Sequence, residues 1–165
     1  MATKKAPDPI PTTYRRVTPC LVVNDAGKAL EFYGEVFGAT VRLRFPGPDG
    51  SIAHAEMEIG DAVVIVEDAS PFLGTQAPPP GGLPGTPVFQ YVYVADVDAV
   101  VARAAELGAT VRRPPQDQFY GARDAFILDP YGQAWTVASH IEDVSSEEAT
   151  RRMTAMAART TEEDQ

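Results

Sequence analysis

His54, Glu56 and Glu58 fall on alternate positions of the run Ile52-Ala53-His54-Ala55-Glu56-Met57-Glu58-Ile59. Successive side chains of a strand point to opposite faces, so an imidazole and two carboxylates share one side while Ala55, Met57 and Ile59 share the other. A histidine and a glutamate two residues apart can share a cation or pass a proton. The same pattern also describes a polar strand face that lines a cavity or meets water. Only one other histidine is present, His140, at the end of a later apolar run. A backbone hydrogen bond or a ligand contact would occupy it there.

A second cluster is aromatic. Phe89, Tyr91 and Tyr93 alternate along another run, giving three rings on one face. Rings supply large apolar contact area, and tyrosine adds a hydroxyl that can orient a ligand; core packing is the competing use. Tyr120-Gly121-Ala122-Arg123 reads as a loop that brings a phenol and a guanidinium to the mouth of a cavity. Arg123 suits an anionic ligand or a structural pairing with Asp117, Asp124 or Asp129. Cys20, the single cysteine, has no charged neighbour in sequence to activate it. No phosphate-cradling glycine loop, serine elbow or dinucleotide fingerprint occurs.

The elements that must position these residues come in two copies. Gly38-Ala39-Thr40-Val41-Arg42 recurs letter for letter as Gly108-Ala109-Thr110-Val111-Arg112. An apolar strand, an Asp (Asp25, Asp96) and a helical stretch precede each copy, over residues 17–37 and 88–107. Each Asp is placed to cap the helix that follows, and each Gly to end it in the left-handed conformation. Strands follow both glycines: residues 40–45, 52–59 and 62–67 in the first copy, and one near Val111, then 124–128 and 134–140 in the second. Residues 113–122 read as a loop. Each half is therefore β–α–β–β–β, and the fold class is α+β, from a duplication.

Residues 14–69 form the first module and residues 88–143 the second. Between them, residues 70–87 hold six prolines and four glycines, the composition of a linker. Residues 1–13 read as a disordered lead-in without the apolar stretch of a secretory signal. Residues 144–165 read as an amphipathic helix over about 146–159, with Ser145 and Glu148 at capping-box spacing, then a frayed end. That helix packs on its own domain or serves a partner.

Composition narrows the function. The chain has 165 residues, enough for one domain or two small modules, and no apolar run long enough to cross a bilayer. Its 23 acidic and 14 basic residues give a net charge of −9, which repels nucleic acid and anionic membranes and suits a cationic ligand. One cysteine excludes an internal disulfide and points to a reducing cytoplasm.

Two such modules, with Leu128-Asp129-Pro130-Tyr131-Gly132 before the last strand, resemble the vicinal oxygen chelate superfamily over about residues 14–143. That superfamily includes glyoxalase I, extradiol dioxygenases, fosfomycin-resistance enzymes and bleomycin-resistance proteins. The Ala138-Ser139-His140-Ile141-Glu142-Asp143 run and Ile52-Ala53-His54-Ala55-Glu56 resemble its PhnB-like branch. The resemblance implies a curved, cupped mixed sheet with helices outside, a ligand cavity within, and homodimerisation. Metal-dependent members take one His or Glu from the first and last strands of each module. The matching positions are Thr18, Phe89, Thr136 and either Val64 or Ile65, which are poor ligands or none. The expectation is a cytoplasmic, metal-free and cofactor-free protein binding a small organic molecule through His54, Glu56, Phe89, Tyr91, Tyr93, Tyr120 and Arg123. Its competitor is a metal-dependent lyase, isomerase or dioxygenase using His54 and Glu56.

Overall fold

A computed structural model describes residues 8–79, 81–83, 85 and 87–163. The chain divides into two compact units between Pro78 and Pro79. The first unit contains β1 (Cys20–Val23), α1 (Ala26–Phe37), β2 (Thr40–Pro46), β3 (Ile52–Ile59) and β4 (Ala62–Asp68). The second contains β5 (Gln90–Tyr93), α2 (Val97–Glu106), β6 (Thr110–Asp117), β7 (Ala122–Leu128), β8 (Ala134–His140) and α3 (Ser146–Glu163). Residues 1–7 of the expected lead-in and the last two residues of the tail lie outside the described residues. The class is α+β.

Each unit holds one four-stranded mixed sheet, ordered β1-β4-β3-β2 and β5-β8-β7-β6. Two antiparallel ladders and one parallel ladder build each. The registers repeat as well as the order: Cys20 faces Ile65 where Tyr91 faces Thr136. Ala55 faces Val66 where Ala125 faces Val137. Even the irregularities recur, between Val41 and Leu43 in β2 and between Val111 and Arg113 in β6.

Helix placement explains which face of each sheet is open. Asp25 accepts the Lys28 N–H at 3.0 Å and Asp96 accepts that of Ala99 at 3.0 Å, so both helices begin on a side-chain cap. Each start is also pinned to the last strand of its module. The Ala26 N–H donates to Asp68 at 2.8 Å, and the Val97 N–H donates to the Ser139 hydroxyl at 3.0 Å. The helices thereby cover one face of their sheets. Leu30, Tyr33 and Val36 of α1 are buried with Leu21, Val23, Ala55, Met57 and Val66; Val97, Val101 and Ala104 of α2 are buried with Val92, Ala125, Ile127, Trp135 and Val137. Alternation then sends Cys20, His54 and Glu56, and in the second unit Tyr91, Asp124 and Thr136, to the opposite face.

Several elements differ from the sequence expectation. β6 runs through Pro114 and Pro115 instead of stopping near Arg113. As the edge strand of its sheet it can tolerate residues lacking an N–H. β1 and β5 are only four residues each, shorter than the apolar runs that contain them. α3 continues to Glu163, past the expected end.

Candidate functional site

On the open face of the first sheet a polar network runs across three strands. The His54 Nδ1 lies 2.9 Å from Glu67 Oε1 on β4, and its Nε2 lies 3.3 Å from Glu56 Oε1 on its own strand. Glu56 is buried, and the Tyr14 hydroxyl donates to it at 2.6 Å. Arg42 adds its Nε at 3.4 Å and stacks its guanidinium 5.2 Å from the Tyr14 ring centre. The electrostatics follow. The bond from Tyr14, helped by His54 and Arg42 against the effect of burial, holds the Glu56 carboxyl below its ordinary value. The Glu67 bond, with Glu56 behind it, raises the His54 imidazole. Both ring nitrogens of His54 are therefore engaged by carboxylates, an arrangement that favours the protonated ring over the neutral one. Nearby, desolvation and Glu67 push the Cys20 thiol up to about 11, which disfavours the thiolate at neutral pH.

The second sheet carries a different cluster around Asp124, 1% exposed. Arg113 donates to Asp124 at 2.5 Å, Gln118 donates at 2.8 Å, and the Tyr120 hydroxyl donates to its other oxygen. Burial alone would raise the Asp124 carboxyl; the three donors outweigh it and hold the group below its ordinary value. Burial and Asp124 together raise the Tyr120 phenol, which stays protonated beside Tyr91. Next to this polar floor the rings are open to solvent: Phe89 is 50% exposed, Tyr91 43% and Tyr93 65%. The Tyr91 and Tyr93 rings lie 5.2 Å apart, and Phe89 meets Phe126 edge-on at 5.7 Å.

Of the residues singled out from sequence, His54 and Glu56 meet in the first network. Phe89, Tyr91, Tyr93 and Tyr120 lie in the second unit, Tyr91 and Tyr120 in contact with one another. Arg123 lies elsewhere. It sits within β7 opposite Ser139 and donates to Asp98 of α2 at 2.7 and 2.8 Å and to Asp117 at 2.9 Å, on the helix side of the sheet. His140 pairs with Asp143 at 2.9 Å. Sequence reasoning missed Tyr14, Arg42, Glu67, Arg113 and Gln118 as members of these networks, and it weighed Asp124 only as a mate for Arg123. Parity along β7 was the available signal for Asp124, since it alternates with Ala125 and Ile127, which face α2.

The family model for the glyoxalase/bleomycin resistance protein/dioxygenase superfamily matches residues 15–137. The chain belongs to that superfamily. Protein Mb0911c of Mycobacterium bovis is 37% identical over 140 residues, covering 84% of this chain and 92% of its own. Among solved structures, TioX from Micromonospora sp. ML1 is 26% identical with a TM-score of 0.57, covering 79% of this chain and all of TioX. The PhnB protein from Bacillus cereus shares the fold at a TM-score of 0.59 and 17% identity, over 76% of this chain and 99% of its own.

Membership makes the superfamily's metal centre a question of donors. Register decides between Val64 and Ile65: Ile65 faces Cys20 as Thr136 faces Tyr91, so Ile65 is the counterpart of Thr136. Phe89 and Ile65 have no donor atom, and the Thr18 hydroxyl is turned to the Arg15 carbonyl at 3.3 Å. Among the described residues no group of three or more His, Cys, Asp or Glu is arranged to hold an ion. The side chains at the superfamily's ligand positions do not fit a divalent metal. No helix among the described residues is long and apolar enough to cross a membrane.

Proposed function

We propose that this superfamily member binds a small organic molecule, without metal, against the open face of the β5-β8-β7-β6 sheet. The observation that carries the reading is the exposure of Phe89, Tyr91 and Tyr93, side by side on the face away from α2. Exposed rings in a group, rimmed by polar side chains, are costly to leave in water and mark ligand or partner surfaces. Asp124, Gln118 and Tyr120 hold the polar floor rigid, so the face is built before a ligand arrives. The bleomycin-resistance type of activity, sequestration without conversion, fits this arrangement better than metal-assisted chemistry. His54 and Glu56, the residues an alternative metal site would need, already satisfy one another and Glu67, Tyr14 and Arg42. The single cysteine accords with a cytoplasmic protein, and homodimerisation belongs to the same proposal.

Calorimetric titration with metal-free bleomycin and a panel of aromatic amines and aromatic carboxylates tests the reading. At least one compound should bind saturably, and Tyr91→Ala with Tyr93→Ala should weaken it at least tenfold. A panel without a binder, or binding indifferent to the double variant, overturns it.

A further inference from the structure

The duplicated Gly-Ala-Thr-Val-Arg segment sets an arginine in each β-bulge, and the two arginines meet different surroundings. In the first unit Arg42 donates to the Thr13 carbonyl at 3.5 Å, so it ties the segment entering the module to the sheet. It also faces two carboxylates, with Nε 3.4 Å from Glu56 and Nη1 3.4 Å from Glu58. In the second unit Arg112 makes the same kind of tie, donating to the Gly81 carbonyl at 3.2 Å. Register identifies the residues that stand where the carboxylates stood. Leu43 pairs with Glu56 and Arg113 with Phe126; Thr40 pairs with Glu58 and Thr110 with Leu128. Both acids are thus replaced by hydrocarbon. Among the described residues no acid comes within ion-pair distance of Arg112.

A cleft of about 300 Å³ opens at this place, lined by Gly81, Leu83, Arg112, Phe126, Leu128 and Ala134. That volume sits at the low end of the roughly 300–1,000 Å³ typical of small-molecule pockets. Its roof is seated closely. Gly82 has φ +73, the left-handed region that favours glycine, and lies against the Leu128 side chain, which an added Cβ would meet at 2.7 Å. An apolar floor with one guanidinium at its rim recognises an amphipathic anion, because Arg offers a planar fork of donors to a carboxylate while the hydrocarbon buries the rest.

We propose that this cleft binds a small organic carboxylate, its anionic head on Arg112, which lacks the internal carboxylates that Arg42 has in Glu56 and Glu58, and its apolar body against Phe126 and Leu128. The proposal rests on the open face of the second sheet being the ligand face, and it names the ligand's class. It runs against the net charge of −9, which suits a cation, because the local field at Arg112 outweighs distant, screened surface charge.

Calorimetry with 3-phenylpropionate and its uncharged alcohol, 3-phenylpropan-1-ol, tests it on the full chain. The acid should bind at least tenfold tighter than the alcohol. Arg112→Gln should erase that preference, and Phe126→Glu, which restores an internal carboxylate, should erase it too. Equal affinity of acid and alcohol for the unaltered protein, no binding of the acid, or a preference that survives Arg112→Gln overturns the proposal. If an aromatic panel compound still binds through Tyr91 and Tyr93 while phenylpropionate does not, the carboxylate site fails and the ligand face stands; if nothing binds, both fail.

Discussion

His54 and Asp124 hold the same place in their two sheets, one residue before Ala55 and Ala125, which face Val66 and Val137 across equivalent ladders. The first is a base raised by flanking acids, the second an acid lowered by flanking donors. One position therefore organises the polar network of both units, through a base in one and an acid in the other. Each network has its own stability signature.

For His54 the folded value lies above the ordinary 6.5, so its contribution is complete at pH values below 6.5 and is lost as pH rises through the folded value. Chemical denaturation across pH 5–9 should show stability declining on the alkaline side in the unaltered protein. His54→Gln should flatten that limb and lower stability at pH 6 by about 1.5–3 kcal/mol, the worth of a hydrogen bond to a charged group. An unchanged limb would refute the assignment. Glu56 acts at the other end: its lowered value gives stability that is present above 4.5 and lost as pH falls through the folded value.

Asp124→Ala removes the acceptor of three side chains at once. Gln118 and Tyr120 would lose their partner while Arg113, partly exposed and still bonded to the residue-124 carbonyl, could turn to water, so a loss of about 1–3 kcal/mol is expected. Urea denaturation measures it. Asp124→Asn, which keeps an acceptor oxygen, should lose less.

Two glycines with similar dihedral angles should respond differently to alanine. Gly38, at φ +65 after α1, has nothing within 4 Å of the place an added methyl group would occupy, so Gly38→Ala should cost about 1–2 kcal/mol for the left-handed backbone alone. Gly121, at φ +87, would drive its Cβ to 2.1 Å from the Glu142 carbonyl oxygen. Gly121→Ala should therefore lower the melting temperature clearly more than Gly38→Ala, and equal losses would contradict the packing of residues 141–144 on that turn.

Because the ligand positions of the superfamily carry Thr18, Ile65, Phe89 and Thr136, exhaustive dialysis against a chelator should leave both melting temperature and aromatic-probe affinity unchanged. A fall of several degrees, restored by one divalent ion, would overturn the metal-free reading.

Much of the fold is legible because the repeat is written in residues with local physics: capping Asp25 and Asp96, helix-ending Gly38, alternating strands. Alternation also places His54 with Glu56, and Tyr91 with Tyr93, on common faces. What escapes a linear reading depends on pairing between distant segments. Glu67 reaches His54 only through the β3–β4 register, and Tyr14 reaches Glu56 across 42 residues of chain. Arg123 reads as part of a loop; β7 begins at Ala122 instead, which fixes the parity that turns Arg123 toward Asp98. The prolines of β6 hide that strand because they break a central strand and are tolerated at an edge.

The parallel seams β1–β4 and β5–β8 have an evolutionary corollary. Each joins the first strand of a module to its last, so every described strand finds its neighbours within its own half of the polypeptide. A gene encoding either half would inherit a whole ladder set. Fusion, fission or exchange at the proline-rich junction would cut no backbone pairing between the described strands.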